Sequence, residues 1–459
     1  DYVKPKDFES LREFETEYLI TSWLFKAIKK INKIEDDGLA NLLVKEIKKI
    51  DNNEEFFNAL RNGINYKDPK TRKKNDYKLI DFENAENNHF VVTNQFYFEG
   101  NLENIRPDMI VFINGIPISD IEAKSPTANS SVSFENAIGQ IKRYENVAQK
   151  LFIPNCFNVV CDGTENGTRY GSTFSPAQYF FQWKDDKNKS KFAGNLELTL
   201  WNIFEKKRLL DIIKNFIVFE KEEGKSVKKI CRYQQLRATN KIVERVLEGK
   251  KKKGLIWQTQ GSGKSLTMFF TAWKLRYANK LKNPKVFILV DRVDLDNQIN
   301  DTFTALGGKN VIRITSRKDL REKLVSEERG IFITTIQKFS ELPTNIQNED
   351  SNIIVLADES HRTNEGVSGI NARYSLINAF WFGFTGTPID QKTLNTHKNF
   401  GEDGERYLDY YSIQQAIDDG ATLPVYFEPR LSRYFINDEN LDEQFNDLTE
   451  SLEEDQKEE

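Results

Sequence analysis

The hydrophobic pattern of the N-terminal part changes from helical spacing to strand spacing. Apolar side chains at Leu11, Tyr18, Leu19 and Trp23 share one face of a helix that we predict over residues 8–35. Short apolar runs then predict strands at His89–Gly100, Met109–Ile113 and Ile116–Ile121, a helix over 133–150 and a strand over Leu151–Cys161. The pattern therefore predicts a mixed sheet with helices.

From residue 232 onward, short apolar runs alternate with helical patterns. A helix is predicted over Gln234–Leu247, and strands are predicted at Leu255–Trp257, Val286–Val290, Ile331–Thr335, Ile353–Ala357 and Phe382–Phe384. Short buried strands that alternate with helices are typical of a parallel α/β sheet. The Lys-rich stretch 185–230, which we expect to be helical toward its end, separates the two patterns. We therefore predict a first domain over 1–215, a second over 216–430 and an acidic tail over 431–459.

Charge is distributed unevenly along the chain. The 459 residues include 66 Lys and Arg against 70 Asp and Glu, a net charge of −4. Eleven of the acidic residues and one lysine lie between Asn437 and Glu459, so the remaining residues carry a net charge of +6. A nearly neutral total therefore does not argue against a nucleic-acid partner. The basic stretch 66–78 is either a solvated loop or a DNA contact, and the sequence does not distinguish the two.

Two features of the composition narrow the class of protein. No apolar run approaches the ~20 residues of a membrane-spanning helix, so we expect no membrane partner. Three cysteines form neither a disulfide framework nor a paired metal-ligand spacing. Free thiols are typical of a reducing compartment, which favours a cytoplasmic location.

A phosphate-binding loop is predicted at Gly261-Ser262-Gly263-Lys264-Ser265, which follows a strand and precedes a helix that begins at Leu266. Glycines let backbone N–H groups turn toward an anion, and the helix N-terminus adds a partial positive charge. In such a loop Lys264 reaches the β- and γ-phosphates of ATP, and Ser265 binds Mg²⁺. Gln258 stands where the usual pattern has its first glycine, but the residues nearest the phosphates are intact.

An acidic pair follows another apolar strand. Asp358 and Glu359 lie at the C-terminal end of Ile353–Ala357, the end at which parallel sheets bind ligands. Asp358 is therefore placed to bind Mg²⁺, and Glu359 to orient and polarise the water that attacks the γ-phosphate. Because the pair comes after the glycine-rich segment, a chance turn is the less favoured interpretation of that segment.

These segments resemble the first motor domain of superfamily 2 helicases and translocases. The resemblance rests on Asp358-Glu359-Ser360-His361, Phe384-Thr385-Gly386-Thr387-Pro388 and Thr334-Thr335-Ile336-Gln337-Lys338-Phe339. It implies a RecA-like domain in which Thr385 and Thr387 couple the ATP state to DNA grip and His361 links the nucleotide site to that motif. Val290-Asp291-Arg292 resembles the motif that touches the DNA backbone. Gln234 either recognises adenine or is an exposed helix residue.

Two carboxylates and a lysine are predicted to meet on a hairpin of the N-terminal sheet. Asp108 precedes one arm, and Glu122 and Lys124 end the return arm, where residues two apart project to one side. Such a set suits metal-assisted phosphodiester hydrolysis, in which the carboxylates bind Mg²⁺ and the metal activates water. Gln140 and Tyr144 follow, one turn apart on one face of the predicted helix. The alternative is a hairpin with solvated charges.

This set resembles the PD-(D/E)xK nucleases, and the pair Gln140 and Tyr144 resembles the accessory motif of their RecB-like group. The resemblance implies that all five residues belong to one catalytic site. It also implies a metal-binding glutamate on an upstream helix. Glu13, Glu15 and Glu17 all lie in the predicted helix, and we favour Glu17 because it shares a face with apolar residues.

A nuclease ahead of a superfamily 2 motor resembles the restriction (R) subunit of type I restriction-modification enzymes. The resemblance extends from the region of Glu17 to Asp418-Asp419-Gly420 and Pro424-Val425-Tyr426, which resembles the segment that leads into a second motor domain. It implies a type I site-specific deoxyribonuclease that uses ATP and Mg²⁺ to translocate double-stranded DNA and cut it away from the recognition site. The implied partners are a modification (methyltransferase) subunit and a specificity subunit.

No motif of a second motor domain occurs in the sequence, and the resemblance implies a longer subunit. We therefore expect this chain alone to bind nucleotide weakly and to hydrolyse little ATP. Two alternatives stay open, namely a type III-like or solitary superfamily 2 helicase with a non-catalytic N-terminal domain, and a DNA-binding fragment without activity. DNA cleavage that requires a divalent metal and Asp108 would distinguish the nuclease from both.

Overall fold

The computed structural model describes most of residues 1–424. The residues outside the description are 126–132, 165, 185–194, 223, 292–298, 300–302, 305–309, 341, 344–345, 359–366, 389–395 and 425–459. Residues 1–422 form one compact unit. Within the described residues the chain is α/β and contains a mixed sheet followed by a parallel sheet, as predicted.

Four helices and a small hairpin precede the mixed sheet. They are α1 (Pro5–Glu9), α2 (Thr21–Asn32), α3 (Asp37–Lys48), α4 (Asn53–Asn62), β1 (Ile64–Lys67) and β2 (Lys74–Tyr77). The prediction of one helix over residues 8–35 is wrong, because the chain is not helical between Ser10 and Ile20. Leu11, Tyr18 and Trp23 nevertheless pack against one apolar cluster, so their spacing reflects burial rather than a continuous helix.

The mixed sheet has five strands in the order β3-β4-β5-β6-β7. Its elements are β3 (Phe90–Asn94), β4 (Met109–Ile113), β5 (Ile116–Ala123), α5 (Phe134–Val147), α6 (Gln149–Phe152), β6 (Phe157–Cys161) and β7 (Arg169–Ser172). Strands β5 and β6 are parallel, so the chain crosses over between them through α5 and α6. The strand predicted from Leu151 begins only at Phe157, because Gln149–Phe152 is helical.

The tight turn between β4 and β5 fixes their register. Asn114 and Gly115 have φ of 55° and 80°, the conformation that an Asn-Gly hairpin turn requires. The strands then pair antiparallel, with Met109 opposite Ile121. This confirms the predicted hairpin.

Two helices and a second hairpin connect the two sheets. They are α7 (Asn195–Phe204), α8 (Lys206–Asn215), β8 (Ile217–Glu222) and β9 (Lys225–Ile230). The helical expectation for the end of 185–230 is therefore wrong beyond Asn215. The β-branched and aromatic side chains that begin β8 favour a strand, and Gly224, with φ of 80°, permits the turn into β9.

The second sheet is parallel and has seven strands within the described residues, in the order β12-β13-β11-β14-β15-β10-β16. Its strands are β10 (Lys253–Gln258), β11 (Lys285–Val290), β12 (Val311–Arg313), β13 (Ile331–Thr335), β14 (Ile353–Ala357), β15 (Phe380–Thr385) and β16 (Asp409–Tyr411). Its helices are α9 (Tyr233–Glu248), α10 (Lys264–Arg276), α11 (Arg317–Val325), α12 (Val367–Ser375), α13 (Thr396–Phe400) and α14 (Ile413–Asp418). All five predicted strands are confirmed, whereas β12 and β16 are too short to show a periodic pattern.

Helix α10, which follows the glycine-rich loop, packs on α8. Lys274 Nζ lies 2.7 Å from Asp211 Oδ1 and 2.6 Å from Asn240 Oδ1. The rings of Phe216 and Phe270 are 5.3 Å apart. The N-terminal part therefore contacts the helix that begins at the predicted phosphate site.

Candidate functional site

The β4–β5 hairpin brings Asp108 beside Glu122. The N–H of Ala123 donates to Asp108 Oδ2 at 2.9 Å, and the N–H of Asp108 donates to Glu122 Oε1 at 3.3 Å. Each carboxylate is therefore held by the backbone at the end of the opposite strand. The register of Met109 with Ile121 places both carboxylates at the same end of the hairpin.

Gln140 on α5 connects the other predicted residues. Its Nε2 donates to Glu122 Oε2 at 2.6 Å and to the Tyr144 hydroxyl at 2.8 Å, and its Oε1 accepts from Lys124 Nζ. Lys124 Nζ lies 4.0 Å from Glu122 Oε2. The helix can supply Gln140 and Tyr144 together because residues four apart share a helix face. The structure thus brings Asp108 and these four residues into one hydrogen-bonded group.

The two carboxyl groups of this site lie close enough to affect each other's charge. Glu122 is fully buried, and burial raises the pKa of its carboxyl to about 8, with the neighbouring Asp108 charge adding to the rise. Burial also raises the pKa of the Tyr144 hydroxyl. Two adjacent carboxylates are the oxygen donors that Mg²⁺ prefers, so the residues fit that ion. Within the described residues no three His, Cys, Asp or Glu side chains are grouped to hold a metal.

Asp120 is a member of this region that the sequence reasoning did not identify. It lies two residues before Glu122, on the same face of β5. It is fully buried, and neither of its carboxyl oxygens has a hydrogen-bond partner. Burial, reinforced by the charges of Glu122 and Asp108, raises its pKa well above the ordinary value. The alternating positions of β5 were the available signal, because Asp120, Glu122 and Lys124 are spaced by two.

Glu17 is not on a helix, so the shared helix face that favoured it is wrong. It lies in the segment between α1 and α2. Its carboxylate pairs with Lys48 Nζ at 3.2 Å and accepts from the N–H of Glu13 at 3.1 Å. These contacts hold Glu17 against α3 and its own segment, rather than against Glu122. A role for Glu17 in metal binding stays a prediction.

The glycine-rich loop joins β10 to α10. Gly261 and Gly263 have φ of 81° and 82°, which favours glycine at both positions. Gln258 is fully buried, and its Oε1 accepts from the Thr267 hydroxyl at 2.9 Å. The residue that departs from the usual motif therefore ties the strand to the helix.

Lys264 meets the aspartate that follows β14. Lys264 Nζ lies 2.8 Å from Asp358 Oδ1, and Ser265 is next to Lys264 in the first turn of α10. Strand β15 lies between β10 and β14 in the sheet, but the carboxyl ends of parallel strands share one edge. Glu359 and His361, which were predicted beside this pair, lie outside the described residues.

Thr385 and Thr387 lie next to β10, the strand that leads into the glycine-rich loop. The N–H of Thr387 donates to Thr385 Oγ1 at 3.1 Å, and Thr385 is opposite Trp257 of β10. Trp257 Nε1 donates to the carbonyl oxygen of Gly386 at 3.0 Å. The segment predicted to sense the ATP state is therefore anchored to the strand that carries the loop.

Two neighbouring glutamines of α9 differ in their contacts. Gln234 is fully buried, so its interpretation as an exposed helix residue is wrong, and neither amide atom has a hydrogen-bond partner. Gln235, which the sequence reasoning did not single out, donates from Nε2 to the carbonyl oxygen of Gly263 at 3.1 Å. Its Oε1 accepts from the N–H of Arg232 at 2.8 Å. Gln235 therefore contacts the loop directly, while adenine recognition by Gln234 stays a prediction.

Two family models match the chain. The type I restriction enzyme R protein N terminus matches residues 1–179, and the SWI2/SNF2 ATPase matches residues 234–458. The type I restriction enzyme HindI endonuclease subunit of Haemophilus influenzae is 35% identical over 447 residues, which cover 88% of this chain and 42% of that protein. A protein named as a candidate type I restriction enzyme MjaIXP endonuclease subunit, from Methanocaldococcus jannaschii, is 33% identical over 483 residues, covering 96% and 45%.

The chain thus spans less than half the length of these relatives. Among solved structures, the UvsW helicase from bacteriophage T4 is 18% identical, and the match covers 45% of this chain and 67% of that chain at a TM-score of 0.31. No described helix is both long and apolar enough to cross a membrane. By the two family models, and by relatives that match along most of its length, the chain is similar to the R (endonuclease) subunits of type I restriction enzymes.

Proposed function

We propose that this chain supplies a Mg²⁺-dependent DNA endonuclease site and one lobe of an ATP-driven translocase to a type I restriction enzyme. The observation that best supports the proposal is the hydrogen-bonded group of Asp108, Glu122, Lys124 and Gln140. In this proposal the cytoplasmic enzyme pulls double-stranded DNA and cuts it away from its recognition site. Modification and specificity subunits are its partners.

The nuclease chemistry follows from what each side chain can do. Asp108 and Glu122 would hold Mg²⁺, which when bound activates a water and stabilises the leaving oxygen. Gln140 bonds both Glu122 and Lys124, so it fixes the ammonium group relative to the carboxylate. Lys124 would then orient water or neutralise charge on the phosphate. Tyr144 holds Gln140 in position through its hydroxyl.

The nucleotide site uses a second group of residues. Lys264 would exchange its contact with Asp358 for the phosphates of ATP, while Ser265 and Asp358 would hold Mg²⁺. Glu359 would orient the attacking water, and Gln234 would recognise adenine. Thr385, Thr387 and His361 would transmit the nucleotide state to the grip on DNA.

Plasmid cleavage by the enzyme assembled with its partner subunits tests the nuclease assignment. Asp108→Ala and Glu122→Ala should abolish cleavage in Mg²⁺ but leave DNA-stimulated ATP hydrolysis intact. Glu135→Ala is a matched control, since Glu135 is an exposed carboxylate at the start of α5. Cleavage that survives both site variants would refute the assignment and favour the helicase with a non-catalytic N-terminal domain.

ATP hydrolysis tests the motor assignment separately. Lys264→Ala should abolish DNA-stimulated hydrolysis by the assembled enzyme, because the lysine contacts the transferred phosphate. The isolated 459-residue chain should hydrolyse little ATP. Strong DNA-stimulated hydrolysis by that chain, lost in Lys264→Ala, would contradict the expectation for the isolated chain. Binding of DNA without metal-dependent cleavage or ATP binding would instead support an inactive DNA-binding fragment.

A further inference from the structure

The basic stretch 66–78 forms an exposed hairpin with two different faces. Ile64, Tyr66 and Tyr77 pack toward the apolar core of the N-terminal part. Residues 69–76, which include the turn and most of β2, are all exposed. Lys67 of β1 lies directly opposite Lys74 of β2. The hairpin therefore has one face fixed on the protein and one face that carries charge into solvent.

The positive charge of this hairpin is largely uncompensated. Lys70 pairs with Asp36 at 2.7 Å. The other basic residues have no ion-pair partner among the described residues, and they are Lys67, Arg72, Lys73, Lys74 and Lys78. The two acidic side chains of the hairpin bond within it, since Asp68 accepts from Lys70 and Thr71 and Asp76 accepts from Asn65.

Two lysines face each other across the two strands of the hairpin. Like charges directly opposite each other on neighbouring strands destabilise a hairpin. Lys67 and Lys74 occupy such a pair, and Lys73 immediately precedes Lys74. An anion with repeated charges would relieve that repulsion by binding across both strands.

We propose that the hairpin of residues 64–77 binds the phosphate backbone of duplex DNA through Lys67, Lys73 and Lys74. This inference rests on the proposed function, which supplies duplex DNA as the substrate. The chemistry of the exposed face favours a nucleic acid over a protein, because protein interfaces are depleted in lysine and enriched in aromatic residues. No large apolar side chain is exposed between residues 64 and 77, all of which are described.

Duplex binding in EDTA tests the proposal without any cleavage. The full chain and the variant Lys67→Gln/Lys73→Gln/Lys74→Gln are titrated with a labelled duplex of mixed sequence over a range of salt concentrations. The matched control is Lys4→Gln/Lys150→Gln/Lys225→Gln, which removes three exposed lysines that also lack an ion-pair partner among the described residues.

Each phosphate contact contributes about 0.9 to the slope of log affinity against log salt. The hairpin variant should therefore lower the slope by about 2 to 3 and weaken binding at least roughly tenfold at 0.1 M salt. The control variant should lower the salt slope and the binding affinity far less. Equal losses in the two variants, or no loss in the hairpin variant, would overturn the proposal. Because no metal is present, binding can succeed even if the nuclease assignment fails, so the two outcomes are separable.

Discussion

A buried charge network holds β16 against α9, beside the strand that leads into the glycine-rich loop. Asp409 is buried and accepts from Arg237 Nε at 2.8 Å, from Arg237 Nη2 at 3.1 Å and from Lys241 Nζ at 2.6 Å. The same cations also donate to the carbonyl oxygens of Tyr410 and Leu408, at 2.8 Å and 3.0 Å. Since β16 pairs with β10, loss of this network should destabilise the edge of the parallel sheet.

Replacing one partner of a buried ion pair typically costs about 3–5 kcal/mol, because a charge is left uncompensated. Asp409→Asn should lower the free energy of unfolding by about 3 kcal/mol, the lower end of this range. The side chains of Arg237 and Lys241 are 23% and 27% exposed, and both keep backbone acceptors. Arg237→Met should cost less, about 1.5–3 kcal/mol, since Lys241 still neutralises Asp409. Replacing all three residues by Leu or Met should cost less than Asp409→Asn, since no buried charge is then left unpaired.

Equilibrium urea unfolding measures these differences in the free energy of unfolding. Asp403→Asn is the control for the loss of one carboxylate, because Asp403 is exposed and should change stability by no more than about 0.5 kcal/mol. The reasoning would be refuted if Asp409→Asn lowered the free energy of unfolding no more than the control does. So would a triple apolar variant that loses as much as Asp409→Asn.

Three further predictions concern buried polar groups. Burial lowers the pKa of Lys228 from 10.5 to about 8, so between these pH values the unfolded chain binds more protons and stability should rise with pH. Lys228→Met should remove that rise in urea unfolding across the window, and equal slopes in both proteins would contradict it. Asp120→Val should raise the free energy of unfolding by about 1–3 kcal/mol, because it removes unpartnered carboxyl oxygens from the core. A lower thermal midpoint for this variant would oppose that reasoning. Gln235→Leu removes the donor to Gly263 and should weaken ATP binding roughly 2- to 10-fold in a fluorescent-nucleotide titration, whereas unchanged affinity would exclude a positioning role.

The hydrogen-bonded group of Asp108, Glu122, Lys124, Gln140 and Tyr144 could be predicted because local geometry fixes most of its members. The Asn114-Gly115 turn sets the register that brings Asp108 to Glu122. The spacing of Gln140 and Tyr144 puts both on one helix face, whatever the rest of the fold does. Strand ends and helix turns are therefore sufficient to assemble four of these positions from sequence.

Other features depend on tertiary contacts that the sequence pattern does not encode. The apolar spacing of residues 8–35 indicated a helix, but it reflects one cluster packed by both helical and non-helical segments. For the same reason, the prediction that Glu17 lies on a helix is wrong. Gln235 reaches the loop only because α9 packs against α10, and no local motif distinguishes it from Gln234.

In the glycine-rich loop, some motif positions are fixed by the backbone and others can be replaced. Gly263 has φ of 82°, and a Cβ there would lie 2.4 Å from Gln235 Nε2, so a larger residue would strain the backbone and displace that amide. Gly261 has φ of 81° and faces the same restriction on its backbone. Gln258 lies in a strand instead, and its side chain bonds Thr267 of the following helix. A departure from the motif at Gln258 therefore adds a strand-to-helix contact and leaves the glycines at positions 261 and 263 unchanged.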